Sequence, residues 1–240
     1  PVHDACSATG SGGRSAAVLK ELIARKVDLN AKRKDGRTPL HLTACRGQVE
    51  IGRILLTNGA NIHETDNMGD TALHYAAKYG RIEMSTVLLE YGAAMDALNE
   101  RGEKPLDTAL RGCYGTAVPE MLLKKEGEAK LRSAVLAGNV KEVKQLLKDG
   151  VNVNVVDRQL GLLPLHISAR QGDLEMVKVL AMGGADLSAE TEAGDTALNM
   201  ARRWTHDKVV EFLQGYMKEG SEFVPSDADE NGDVGRELGE

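Results

Sequence analysis

An all-α fold, built as a solenoid of paired antiparallel helices joined by β-turn fingers, is what this sequence predicts, and three observations carry it. Within Asp35–Glu100 one pattern is written twice. Gly36, Thr38, Leu40, His41, Ala44, Gly47, Glu50, Leu55, Leu56, Gly59 and Ala60 recur 33 residues on as Gly69, Thr71, Leu73, His74, Ala77, Gly80, Glu83, Leu88, Leu89, Gly92 and Ala93. A fixed period of this size marks stacked supersecondary units rather than one globular core. Only 3% of the 240 residues are aromatic while 42% are hydrophobic, mostly Ala, Leu, Val and Met, which suits close-packed short helices better than a sheet. Each period also holds two short runs of apolar residues at helical spacing, punctuated by glycine.

One period, taken in order, starts at the turn dipeptide Asp35-Gly36. Thr38 is a good N-cap, and Pro39 stands at the first helical position, where its missing N–H costs nothing. A short helix is predicted from Pro39 to about Cys45, with small residues (Thr43, Ala44) where another helix must approach, and Gly47 stops it. A second helix runs from about Val49 to Thr57 with Ile51, Ile54, Leu55 and Leu56 on one side, and Gly59 ends it in the left-handed manner. Neither helix is long enough to stand alone in water, so each depends on its neighbours.

The strings TPLHLTACRG and ILLTNGANIH resemble the ankyrin repeat, as do DTALHYAAKYG, LLPLHISARQG and DTALNMARRW, and the resemblance covers about residues 1–217. It implies units of a β-turn finger plus two antiparallel helices, stacked into a curved, L-shaped solenoid. It also implies that fingers and first helices line a concave face on which protein partners dock.

Seven repeats are expected. The first, about 1–32, carries a Gly-rich loop (Gly10–Ser15) between its helices. The fourth, about 99–129, keeps Gly102 and Leu106 and then departs. The fifth, about 130–157, has no TPL box; the sixth begins near Arg158 and the seventh near Glu192. Gly36 to Gly161 is 125 residues where four intact periods need 132, so seven residues are missing. The loss falls between repeats four and five, predicting a shortened finger or a direct helix-to-helix passage near Glu126–Lys130. Two segments follow: a repeat domain, 1–217, and an acidic tail, 218–240, read as flexible because no apolar period survives in it.

The formal charge of −6 is unevenly placed: residues 221–240 hold seven acids and one Arg, while residues 1–34 carry seven Lys or Arg against three acids. The body is therefore neutral, which argues against nucleic-acid binding through a basic stripe with stacking aromatics. Three cysteines (Cys6, Cys45, Cys113) without CxxC spacing indicate a reduced, intracellular setting, cytoplasmic or nuclear. No run of 18 apolar residues is present, so no membrane insertion is expected.

No constellation for catalysis emerges. His3, His41, His74 and His166 share the TPLH slot, and a residue repeated at one slot is structural; His63 and His206 lie off the pattern. The Gly-rich loop lacks the GK[ST] ending of a phosphate cradle, so no cofactor is expected. In the tail, Asp227, Asp229, Asn231, Gly232 and Asp233 match the start of an EF-hand calcium loop. Position 12, which needs a bidentate Glu, is Leu238, so a plain acidic tail is the preferred reading. Leu22, Asp28, Leu29 and Asn30 fit the pattern for asparaginyl hydroxylation in ankyrin proteins, making Asn30 a candidate modification site.

By the resemblance, the variable positions of the concave face are Lys34, Arg37, Arg46, Asp70, Lys78, Tyr79, Tyr91, Arg111, Leu162, Arg170, Arg203 and Trp204, the last being the single Trp. Aromatic and Arg side chains are the usual energetic anchors of interfaces. The expected function is a monomeric, non-enzymatic scaffold or adaptor binding a protein partner. The alternatives are a regulatory inhibitor or targeting chaperone of a client protein, or the adaptor part of a larger enzyme or channel.

Overall fold

A computed structural model describes residues 2–7, 12–112, 114–157 and 160–219. Among them are thirteen helices and no named strand, in the order α1 (Val2–Ser7), α2 (Gly12–Ala24), α3 (Pro39–Arg46), α4 (Val49–Thr57), α5 (Ala72–Lys78), α6 (Ile82–Glu90), α7 (Pro105–Arg111), α8 (Ala117–Leu136), α9 (Val140–Lys148), α10 (Pro164–Gln171), α11 (Leu174–Met182), α12 (Ala197–Arg203) and α13 (Asp207–Glu219). Seven helix pairs would give fourteen. The count is one short because α8 serves as the second helix of repeat four and the first helix of repeat five.

That continuous helix is where the missing residues went. The finger between repeats four and five is shortened to nothing, and of the two expected routes the direct helical passage is the one realised. Nothing in the local sequence resists it: Glu, Lys, Leu and Ala fill the stretch, and one interior Gly costs a helix only about 1 kcal/mol against Ala. Gly127 has its own reason, since a Cβ there would lie 2.9 Å from the Val151 side chain.

The chain divides into two compact blocks, residues 1–126 and 127–240. In the N-terminal block α3 packs on α5 and α5 on α7, with α4 against α6 behind them. Leu40, Leu73, Ile51, Leu55, Met84 and Leu88 form its fully buried centre. In the C-terminal block α10 packs on α12 and α11 on both α9 and α13, around Leu131, Leu165, Ile167, Met176, Leu180 and Phe212. Each such Leu or Ile removed from water contributes about 1.5–3 kcal/mol.

Helix boundaries follow their local chemistry. Thr38 and Thr71 are extended N-caps ahead of α3 and α5. Gly47 closes α3 in the left-handed region at φ 71°, and α4 has the expected bounds. In repeat one the expected loop is largely helix: α2 begins at Gly12, so Gly12–Ser15 belong to it, while residues 8–11 lie outside the described residues. The last helix, α13, reaches Glu219, two residues past the boundary expected for the tail. The remainder of the tail, with the Asp227, Asp229, Asn231 and Asp233 loop, lies outside the described residues, as does Cys113.

Candidate functional site

The fingers are held in register by the histidines of the TPLH slot. His41 Nδ1 accepts the Thr38 amide hydrogen (3.1 Å), which leaves Nε2–H to donate to the Asp70 carbonyl of the next finger (3.0 Å). His74 repeats this between the Thr71 amide (3.1 Å) and the Glu103 carbonyl (3.0 Å). His166 does so between the Leu163 amide (3.2 Å) and the Ala189 carbonyl (3.0 Å). Burial pushes His41 and His166 below the ordinary imidazole range, in keeping with neutral rings. Finger backbones add their own ties: Asn67 N–H to the Asp35 carbonyl at 3.2 Å and Glu100 N–H to that of Met68 at 2.9 Å.

On this frame the N-terminal block displays a row of rings. His41 meets Tyr75 edge-on at 5.6 Å, Tyr75 stacks with Tyr79 at 6.4 Å, and Tyr79 meets Tyr114 at 5.9 Å. Tyr75, on α5, and Tyr79, its C-cap, lie on one side because they stand four residues apart. The Arg37 guanidinium lies 5.9 Å from the Tyr75 ring centre and the Lys78 ammonium 5.7 Å from that of Tyr79, within cation–π range. The Tyr75 hydroxyl donates to Asp66 (2.7 Å), and burial with that carboxylate pushes the phenol above its ordinary range. Tyr114 is 61% exposed, so the row opens to solvent at its far end.

Several expected site residues are committed to the frame instead. Leu162, expected on the docking face, is 6% exposed and packs into the C-terminal core, because its finger turns the side chain inward beneath α10. Asp70 is half-buried and accepts from Asn99 Nδ2 at 2.8 Å, locking its own finger to the next. Tyr91 caps the end of α6, a second helix, and so is not a first-helix residue. Arg37 pairs with Asp35, Arg111 with Glu103 and Arg203 with Asp195, each an arginine held by an acid of its own repeat. Asp35 is pulled below the usual carboxylate range by the Arg37 guanidinium. The Asn30 side chain accepts the Asn61 amide (2.7 Å), and Asn154 likewise accepts that of Asp186 (2.9 Å), so these asparagines hold neighbouring repeats together.

The remaining positions are at least partly open to solvent. Lys34, Arg46 and Lys78 are exposed, Tyr79 and Arg170 half-exposed, and Trp204, the C-cap of α12, is 56% exposed. A groove of about 260 Å³ opens between the ends of the first helices of repeats two and three, lined by Arg46 and Gly47 on one repeat and Gly80, Arg81, Ile82, Glu83 and Met84 on the other.

Tyr114 escaped the sequence reading and His206 was read only as lying off the pattern, although the period points to both. Tyr114 sits over Gly80, where a Cβ would lie 2.6 Å from its own, and His206 sits over Gly172, with a Cβ 2.5 Å from Nδ1. His206 then donates from Nε2–H to the Arg170 carbonyl at 3.0 Å. Arg81 covers Gly47 in the same way and donates to the Cys45 carbonyl (3.0 Å). Each lies 34 residues after the glycine it covers. No group of three or more His, Cys, Asp or Glu side chains among the described residues is gathered to hold a metal. Cys6 and Cys45 are free thiols, and burial pushes the Cys6 thiol up.

Comparison with known proteins agrees with this geometry. The family model described as ankyrin repeats (3 copies) matches residues 2–99, 53–133 and 131–224. The chain belongs to the ankyrin-repeat family. Among relatives, the Arabidopsis thaliana potassium channel AKT2/3 is 30% identical over 173 residues, 72% of this chain and 18% of the channel. The mouse (Mus musculus) ARF GTPase-activating protein GIT2 is 30% identical over 89 residues, 37% of this chain and 13% of that protein. The putative ankyrin repeat protein FPV223 of fowlpox virus (strain NVSL) is 38% identical over 61 residues, 25% of this chain and 43% of the viral protein. The matched stretches thus span less than a fifth of the channel and of GIT2. Ankyrin repeats are a protein–protein interaction module, generally without catalysis, and no helix among the described residues is long and apolar enough to cross a membrane.

Proposed function

We propose that this chain is a monomeric, non-catalytic scaffold or adaptor, intracellular in setting, that binds a protein partner on its finger and first-helix face. The observation that carries the reading is the row Tyr75–Tyr79–Tyr114, flanked by Arg37 and Lys78 and left open to solvent at Tyr114. In a chain this poor in aromatics, three tyrosines at one edge of two successive repeats are an expensive use of rings unless they meet something. Trp204 and Arg170 offer similar chemistry in the C-terminal block. The absence of catalysis is supported by the engagement of His41, His74, His166 and His206, which all hold neighbouring repeats.

A second reading, the adaptor portion of a larger enzyme or channel, draws support from the relatives' names and from the small share of each that is matched. Affinity capture with quantitative mass spectrometry, comparing the wild-type chain with Tyr79→Ala and Trp204→Ala variants, tests the interface. Partners lost on Tyr79→Ala at an unchanged melting temperature support it; identical recoveries from all three proteins refute it.

A further inference from the structure

We infer that the segment bound by the N-terminal block is an extended acidic peptide with a carboxylate at about every third residue, running across the C-terminal ends of α3, α5 and α7. This rests on the interface reading above and gives its partner a chemistry.

Charge comes first. The last turn of each of these helices carries a cation, Arg46, Lys78 and Arg111, and all three are exposed. Arg81 adds a fourth beside the turn after α5. Across residues 39–48, 72–81 and 105–116, helices and following turns together, there is a single acid, Asp107, while Glu50 and Glu83 stand in the first turns of the helices that follow. Its carboxylate accepts the Lys104 amide (2.8 Å) at the start of α7, the far end from the cations. Glu103 reaches Arg111 from the finger and takes part of that charge, and Glu83 is the acid on the wall of the groove between Arg46 and Arg81. Along the ends themselves one sign prevails, which steers and orients an acidic partner.

Spacing decides the partner's conformation. α3 packs on α5 and α5 on α7, and packed helices lie about 8–10 Å apart. A polyproline II chain advances about 3.1 Å per residue and returns every third side chain to the same face, so three residues carry an acid from one helix end to the next. A helical partner rises about 1.5 Å per residue and would need its acids six or seven apart. The groove beside these ends has a mixed lining, with Arg46, Arg81 and Glu83 beside Ile82 and Met84, unlike the apolar trough that receives an amphipathic helix. Tyr79 and Tyr114 have rings 5.9 Å apart and the Lys78 ammonium lies 5.7 Å from the Tyr79 ring centre, so residues beside the acids meet aromatic faces. Proline and aliphatic side chains suit such faces.

The probe is a fluorescein-labelled peptide of repeated Glu-Pro-Leu triplets, titrated with the full chain by fluorescence anisotropy. The control is a peptide of equal composition with its glutamates in one block. The triplet peptide is expected to bind about tenfold tighter than the control, to weaken with salt, and to lose about tenfold on Lys78→Glu at an unchanged melting temperature. Lys78 is exposed and holds no repeat together, so that variant keeps its fold. Equal binding of the two peptides, indifference to Lys78→Glu, or tighter binding of a single-stranded RNA oligonucleotide would each overturn the inference. Should a captured protein depend on Tyr79 while the triplet peptide fails, the interface reading stands and the acidic segment falls. Should capture be indifferent to Tyr79, the interface reading itself falls.

Discussion

His74 joins two backbones through one ring, accepting from its own helix start and donating to the next finger while 1% exposed. Replacing it with Ala leaves the Thr71 amide buried without a partner and takes from the Glu103 carbonyl one of its two donors, the other being the Asn99 amide, so His74→Ala is expected to cost about 1–3 kcal/mol in urea unfolding. A second consequence is pH dependence. His41 and His166 are held below the ordinary imidazole range by burial, so the unfolded chain binds more protons than the folded one as pH falls. Their contribution is whole above the unfolded value of about 6.5 and is lost as pH drops toward the folded values. Melting temperatures read between pH 7.5 and 5 should therefore fall, and His41→Gln should flatten that slope. This slot is legible in the chain even where it lacks histidine. Repeats four and seven, which have no following finger among the described residues, carry Asp107 and Asn199 there. Asp107 still closes its own helix start but reaches no neighbour's carbonyl. The acids that hold Arg111 and Arg203 stand eight residues earlier at Glu103 and Asp195, a separation across a finger that neither helix nor strand periodicity brings to notice.

At the scale of helices and turns, the glycines that end first helices differ from those that end second helices. Gly172 has φ 74° and a Cβ would lie 2.5 Å from the His206 ring, whereas Gly59 has φ 93° with nothing within 4 Å. Gly59→Ala should cost about 1 kcal/mol, the strain of a left-handed residue alone. Gly172→Ala adds a displaced ring and a lost hydrogen bond and should cost about 2–4 kcal/mol by the same unfolding measurement. The turn chemistry of the twin repeats was readable because each boundary has a local cause: a Thr cap, a Pro at the first position, a Gly at the last. The long helix α8 was readable only as a deficit of seven residues, since counting shows that a finger is short but not what replaces it. What decides is the lack of any cap or breaker between Glu120 and Leu136 beyond Gly127, whose reason is contact with Val151, distant in sequence.

At the scale of the whole molecule, the chain forms two compact blocks of ankyrin repeats, and the N-terminal one sets tyrosine rings beside cations at the ends of its first helices. Membership of the family, the helix pairs and the structural use of histidine were all open to reading from the period alone. Which exposed-looking residues were spoken for was not, because burial of Leu162 and the pairing of Arg37 depend on neighbouring chain that the period places but does not orient. Tyr114 was obscured by the irregular fourth repeat, yet it completes the row begun by Tyr75 and Tyr79. The central claim is that this row and its flanking cations are where a protein partner sits. Quantitative capture by the wild-type chain, Tyr79→Ala and Lys78→Glu, with melting curves for all three, tests it most directly. The account predicts equal melting temperatures and at least a tenfold loss of the same partner from both variants; undiminished recovery of that partner by both would contradict it.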